Sequence, residues 1–295
     1  MLARWQSDWV AARLRDRGFE VDIVEISTSG DVQQAGPVAA IGGTGVFTKE
    51  IQHALLAGDV DLAVHSLKDL PTQATAGLVI AAIPQRENPA DALVSATGAA
   101  LDALPAGARV GTGSLRRRAQ LLALRPDLAT LDIRGNVDTR LRKLDAGQYD
   151  AIVLAAAGLS RLGWAGRIAD MLEPPRMLPA PGQGALAIEC RADDAATRDV
   201  LAPLDDAATR AAVSAERGVL AALHGGCSAP VAAWGRLEGG KLRLDALVAA
   251  VDGSRVARAA GAMAPGSSPD ELARTVTQQL LLQGAAELVA AARPA

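Results

Sequence analysis

Short apolar runs at residues 62–64, 78–83, 109–110, 129–133 and 151–154 alternate with helix-length stretches at 49–57, 114–124 and 137–144. Strand, helix and strand in succession specify α/β units, because each connecting helix must cover the strands that it joins. An apolar/polar alternation at 20–26 precedes the first helix, and the connector 84–89 separates two rounds of the rhythm. The pattern breaks at Leu178-Pro179-Ala180-Pro181-Gly182-Gln183-Gly184 and resumes as a strand over 185–190. A strand placed there can return to the first round, leaving two lobes joined by a double crossing. After Pro203 the order changes to a helix (207–223), three antiparallel strands (229–237, 241–251 and 254–263) and a last helix from Pro269 to about 292. Pro269 and Asp270 are favourable residues for opening that helix. The expected class is α/β: a first lobe of 1–84 and 185–203, a second of 85–184, and a C-terminal α+β domain of 204–295. A chain of 295 residues exceeds what one hydrophobic core usually serves.

Composition narrows the function. Only seven residues are aromatic and the net charge is −3, a poor basis for stacking single-stranded nucleic acid or for a broad basic footprint. No apolar run approaches the length of a membrane span, and residues 1–5 lack the three-part pattern of a secretory signal. The expectation is a cytoplasmic protein without membrane or nucleic-acid partners. Cys190 and Cys227 stand far apart without metal-ligand spacing, so neither a disulfide framework nor a metal site is expected.

Against that acidic background, residues 114–143 carry eight basic and three acidic side chains. Arg116-Arg117-Arg118 and the group Arg134, Arg140, Arg142 and Lys143 both fall where a strand gives way to a helix, the edge at which open α/β sheets bind ligands. Several planar guanidinium forks in one crevice suit a ligand with several carboxylates or phosphates. Gly111-Thr112-Gly113-Ser114 precedes a helix but matches no nucleotide-binding glycine pattern, and Asn136 after Arg134-Gly135 is a candidate helix cap. His65-Ser66-Leu67-Lys68-Asp69-Leu70-Pro71 reads as a strand-end loop, because Pro71 holds Leu70 extended. Such a loop offers hydrogen bonds, a cation and a carboxylate together, while His65 alone reads as structural. Cys190, within its strand, reads as a small buried apolar residue; Cys227, after Gly225-Gly226, is a candidate covalent thiol.

Five segments in one order, VHSLKDLP (64–71), GTGSLRR (111–117), RGNVDTRL (134–141), LPAPGQGALAIECR (178–191) and GGCSAPV (225–231), closely resemble the porphobilinogen deaminase family, also called hydroxymethylbilane synthases. The resemblance covers nearly the whole chain. It implies two periplasmic-binding-protein-like lobes and a C-terminal domain that carries a cofactor cysteine. It implies joining of four porphobilinogen molecules with loss of ammonia, on a dipyrromethane primer held through a thioether to Cys227, followed by hydrolytic release of the linear tetrapyrrole for haem biosynthesis. It assigns Asp69 as the catalyst that stabilises the cation formed when ammonia leaves. Arg116, Arg117, Arg134, Arg140 and Arg161 would pair with pyrrole acetates and propionates, with polar contacts from Ser66, Lys68, Thr112, Ser114 and Gln183. A monomer is expected. The alternative is a non-catalytic two-lobe anion-binding protein, because a fold does not fix a function.

The resemblance fails at specific places. Relatives open with a strand of the form IATRxSxLALxQ, of which Leu2-Ala3-Arg4-Trp5-Gln6 matches only the tail. The expectation is therefore a first lobe lacking its N-terminal strand, with a native start upstream of Met1 and impaired activity for the short form. Ala40 and Thr44 stand where many relatives have lysine, and Ser29 where arginine is common, although Phe47 and Lys49 are retained.

Overall fold

Helix α1 (Leu2–Arg15) presents Val10, Ala11 and Leu14 at apolar helical spacing and buries them. They pack on a three-stranded antiparallel sheet of β1 (Leu62–Ser66), β2 (Leu78–Ala82) and β8 (Leu186–Arg191), with β8 in the centre. The computed structural model describes residues 1–27, 48–224, 229–264 and 266–293. Cys227 and the loop positions Ser29, Ala40, Thr44 and Phe47 lie outside the described residues. Val10 and Leu14 meet Ala82, Ile188, Cys190 and Leu201 on one face of the sheet, so Cys190 is a core residue. Helix α2 (Lys49–Ala57) covers Ala63 and Leu78 with Leu55 on the other face. The return of β8 between β1 and β2 places a strand from after the second round inside the first sheet.

Residues 20–26 form no strand, although the alternation is visible as half-buried Val21 and Ile23 beside exposed Asp22 and Val24. Periodicity supplied a face but no partner. β1 pairs only with β8 among the described residues, and 19–25 instead lean on α1 through Phe19 N–H to the Leu14 carbonyl (3.2 Å) and Arg4 to Glu25 (2.7 Å).

The second sheet contains β3 (Asp91–Ser95), β4 (Arg109–Gly111), β5 (Ala129–Leu131), β6 (Ala151–Ala155) and β7 (Asp170–Leu172), in the order β5-β4-β6-β3-β7. β4 is parallel to β5 and β6, whereas β3 runs antiparallel to β6 and β7. The unbroken apolar run of β6 reflects burial on both faces. Val153 and Leu93 meet Leu121 of α3 (Leu115–Leu124) on one side; Ile152, Leu154 and Val94 meet Leu141 and Leu144 of α4 (Val137–Asp145) on the other. Each fully buried Leu, Ile or Val contributes about 1.5–3 kcal/mol. The short helix α5 (Ala156–Arg161) follows β6 directly, and α6 (Ala195–Leu201) follows β8.

Helix α7 (Ala207–Ala222) starts at Asp206, whose side chain accepts the Thr209 N–H at 2.7 Å. With α8 (Pro269–Leu282) it packs on an antiparallel sheet, β11-β10-β9, built from β9 (Val231–Glu238), β10 (Lys241–Ala249) and β11 (Val256–Met263). Val219, Leu244, Val248, Val276 and Leu280 form the centre of this core. The expected single helix at 269–292 is two: Gly284, at φ +84°, turns the chain between α8 and α9 (Ala285–Ala291). All these elements together give the expected mixed α/β architecture with a C-terminal α+β unit.

Candidate functional site

Ser66 ends β1, and a single 3-10 turn, Leu67–Asp69, follows where sequence reading expected an irregular loop. Pro71 stops the turn by holding Leu70 extended, at φ −75° and ψ 131°. Leu67 and Leu70 are buried and anchor it, leaving Lys68 and Asp69 between them on the opposite side. Arg217 of α7 secures the same turn by donating to the carbonyls of Leu67 (3.3 Å), Leu70 (2.9 Å) and Pro71 (2.6 Å). Gln6 of α1 donates to Ser66 Oγ at 2.8 Å. Behind the turn, His65 Nε2 lies 3.2 Å from Glu189 Oε2, with both side chains buried, in keeping with a structural imidazole.

Asp69 is exposed to solvent, although protein is packed around it. Burial pushes its carboxyl above the usual carboxylate range, while Lys68, His65 and Arg140 pull in the other direction. Burial lowers the Lys68 ammonium to about 8; Asp69 and Asp91 oppose that change, and Arg117 and Arg116 assist it. The turn of the first sheet therefore shares an electrostatic environment with arginines from the second, so the site lies between the two sheets.

The second sheet supplies the cations. Ser114 caps α3, accepting the Arg117 N–H at 3.5 Å, which turns Arg116 and Arg117 inward on the first helical turn. Both meet a carboxylate that sequence reading missed. Asp91, fully buried at the start of β3, receives Arg116 at 2.6 Å, Arg117 at 2.8 Å and Gln183 Nε2 at 2.9 Å. Arg116 also reaches the Leu178 carbonyl (2.7 Å), and Arg117 the Val153 carbonyl (3.0 Å). Burial alone would raise the Asp91 carboxyl, but the two guanidinium groups hold it well below the usual range. Arg116, Arg117 and Gln183, expected to face a ligand, are thus engaged with one internal carboxylate.

Arg134 and Arg140 are placed differently. Gly135, at φ +110°, turns the chain after Arg134, and Asn136 caps α4 by accepting the Thr139 N–H at 2.9 Å. Arg140 donates Nε to the Gly135 carbonyl at 2.7 Å, and Arg134 donates Nε to Asp132 at 3.1 Å. Burial, with Arg117 and Arg134 nearby, lowers the Arg140 guanidinium to about 10 against the pull of Asp132 and Asp69. The site is short of negative charge. Arg161, at the end of α5, donates to the Gly184 carbonyl at 2.7 Å and faces the Trp5 ring at 5.7 Å. Thr112 is buried and accepts the Ser114 N–H at 3.2 Å, so part of the glycine turn satisfies itself. Lys68, Asp69, Arg117, Arg134 and Arg140 thus share one cationic environment, Ser66 adjoins it at the end of β1, Thr112 and Ser114 lie in the turn before α3, and Arg161 is held apart from these by its own bond to Gly184.

Such a cleft fits a polycarboxylate ligand: Arg140 is desolvated among like charges, and the nearby acids do not balance them. Two family models match the chain. One, described as porphobilinogen deaminase, dipyromethane cofactor binding domain, covers residues 1–199; the other, porphobilinogen deaminase, C-terminal domain, covers 210–281. Among curated relatives, porphobilinogen deaminase of Stenotrophomonas maltophilia is 53% identical over 98% of this chain and 95% of its own length. The protein of the same name from Xanthomonas campestris is 54% identical over the same shares. Among solved structures, a YaeC-family lipoprotein from Enterococcus faecalis is similar at TM-score 0.42 and 14% identity, over 68% of this chain and 86% of that one. No helix among the described residues is long and apolar enough to cross a membrane.

Proposed function

The chain belongs to the porphobilinogen deaminase family, and from that premise we propose how its own residues carry the reaction. The activity is hydroxymethylbilane synthesis, a transferase reaction in which porphobilinogen units are joined with loss of ammonia and released as a linear tetrapyrrole. A non-catalytic anion-binding role is not favoured, because the family matches span both the lobes and the C-terminal unit.

The observation that carries the assignment of roles is that the turn from the first sheet faces the arginines of the second, Asp69 toward Arg140 and Lys68 toward Arg117 and Arg116. Asp69 offers a carboxylate to a pyrrole N–H and stabilises the cation left on porphobilinogen as ammonia departs. Lys68, Arg134, Arg140 and Arg161 pair with the acetate and propionate groups. A charge-assisted hydrogen bond of this kind contributes about 1.5–3 kcal/mol, less where water screens it. Ser66, Thr112 and Ser114 add polar contacts. Arg116, Arg117 and Gln183 act chiefly by shaping the cleft from their Asp91 anchor, with residual positive field reaching Lys68. The cofactor is a dipyrromethane attached through a thioether to Cys227, and when bound it supplies the nucleophilic pyrrole carbon from which the chain extends. This reading places the enzyme in the cytoplasm, as a monomer.

The test supplies porphobilinogen, follows hydroxymethylbilane, and measures intact mass beside the assay. The resting protein should carry a dipyrromethane that Cys227→Ser lacks; a fully active protein without the added mass would contradict the anchor. Asp69→Ala should retain the mass while turnover falls by at least about a hundred-fold, the scale of losing a transition-state electrostatic contact. Wild-type turnover by that variant would remove Asp69 from its role.

A further inference from the structure

The carboxylate of Asp132 stands among the arginines of the cleft and belongs to no role described above. One oxygen accepts from Arg134 Nε at 3.1 Å. The other overlies the glycine turn ahead of α3, so closely that a Cβ on Gly113 would come within 3.1 Å of it and 3.6 Å of the Arg134 guanidinium carbon. Its backbone is fixed, because the Tyr149 hydroxyl donates to the Asp132 carbonyl at 2.8 Å. The side chain is 61% exposed and that of Arg134 is 28% exposed, so the pair is open to solvent and exchangeable. Arg140 feels this carboxylate and that of Asp69, both of which favour its charged form.

We infer that Asp132 tunes the grip of the cleft on its substrate: its carboxylate competes with the acetate and propionate groups of the substrate for Arg134. The inference rests on the proposed carboxylate-binding role of the cleft. Physically, Arg134, Arg140 and Arg117 repel one another, and each added pyrrole brings two more carboxylates to neutralise them. A cleft without internal competition would hold intermediates and product too firmly, since equal binding of every state lowers KM without raising turnover. An exposed internal carboxylate weakens the grip at one arginine and lets it be exchanged.

The experiment uses the holoprotein with its primer. Steady-state kinetics with porphobilinogen are measured for wild type, Asp132→Asn, Asp132→Ser and Asp132→Glu, with intact mass after a substrate pulse to follow species carrying added pyrroles. Asp132→Asn and Asp132→Ser should lower KM about two- to five-fold, the factor that an exposed ion pair supports, and prolong the pyrrole-bearing species. Raised salt should shrink the difference, and Asp132→Glu should restore behaviour close to wild type. In an Arg134→Gln background, Asp132→Asn should have a much smaller effect, the remainder being what Asp132 exerts on Arg140. Unchanged or raised KM in both Asn and Ser variants, with an unchanged intermediate distribution, overturns the inference. If Arg134→Gln itself leaves KM unchanged, the cleft reading fails; if it raises KM while the Asp132 variants are silent, only the present inference fails.

Discussion

Asp91 shows how a single buried acid can decide what two arginines do. It is fully buried, and Arg116, Arg117 and Gln183 converge on it. Asp91→Asn would leave two desolvated guanidinium groups without a counter-charge, at a cost of about 3–5 kcal/mol. Burial works against its ionisation, but the arginines outweigh it and hold the folded pKa below the ordinary 3.8. As pH falls, the unfolded chain takes up this proton before the folded chain does. The stabilisation is therefore full above about pH 4 and fades as pH falls below it. Urea denaturation of wild type and Asp91→Asn should differ most near neutrality and converge in acid; a gap that does not close at low pH would assign the loss to packing instead. Sequence reading found the arginines because they cluster, and it found Lys68 and Asp69 because a proline fixes their turn. It missed Asp91 because one acid in an apolar strand carries no local signal, with Arg116 and Arg117 reached only through tertiary folding.

Among elements, the contact between α7 and β9 depends on a residue with no side chain. A Cβ at Gly235 would run into the carbonyl, carbonyl carbon and Cα of Ala212, all backbone atoms that cannot rotate away. Gly235→Ala should force α7 from β9 and cost about 1–3 kcal/mol by overpacking. Gly166→Ala, where a Cβ meets nothing within 4 Å and φ is ordinary, should stay within about 0.5 kcal/mol of wild type. Thermal denaturation of the two variants checks both, and equal melting temperatures would refute the close-approach argument. Strands and helices with strong periodicity were legible: β6, β8, α3, α4 and α7 lie close to their expected ranges. Less legible were α1, β3, α5, β7 and α6. β3 pairs with β6 and β7, both far along the chain from it, and α5 begins at the residue after β6, with no turn signal between them. At 20–26 the opposite happened, where a strand pattern without a neighbouring strand produced no ladder.

Across the whole molecule, one fully buried carboxylate ties the connector, the crossing segment and the C-terminal unit together. Glu216 of α7 binds Arg86 through both oxygens, at 2.6 and 3.1 Å, and accepts the N–H groups of Gly182 (2.6 Å) and Gly235 (2.7 Å). Arg86 in turn donates to the Gln183 carbonyl at 2.7 Å, and the Gln183 side chain reaches Asp91. A path of hydrogen bonds therefore runs from α7 through Gln183 to Asp91 and the buried pair Arg116 and Arg117. Glu216→Gln should cost about 3–5 kcal/mol, because Arg86 is left as an uncompensated buried charge. Replacing both partners by apolar residues, Arg86→Met with Glu216→Leu, removes that charge and should recover part of the loss. It cannot recover all of it, because the N–H groups of Gly182 and Gly235 then stand buried without an acceptor, at about 1–3 kcal/mol each. Denaturant titrations of Arg86→Met, Glu216→Leu and the double variant give the coupling directly, with Glu216→Gln measured beside them. A double variant no more stable than Glu216→Gln would mean that the backbone acceptor role, rather than the ion pair, is what joins the three parts.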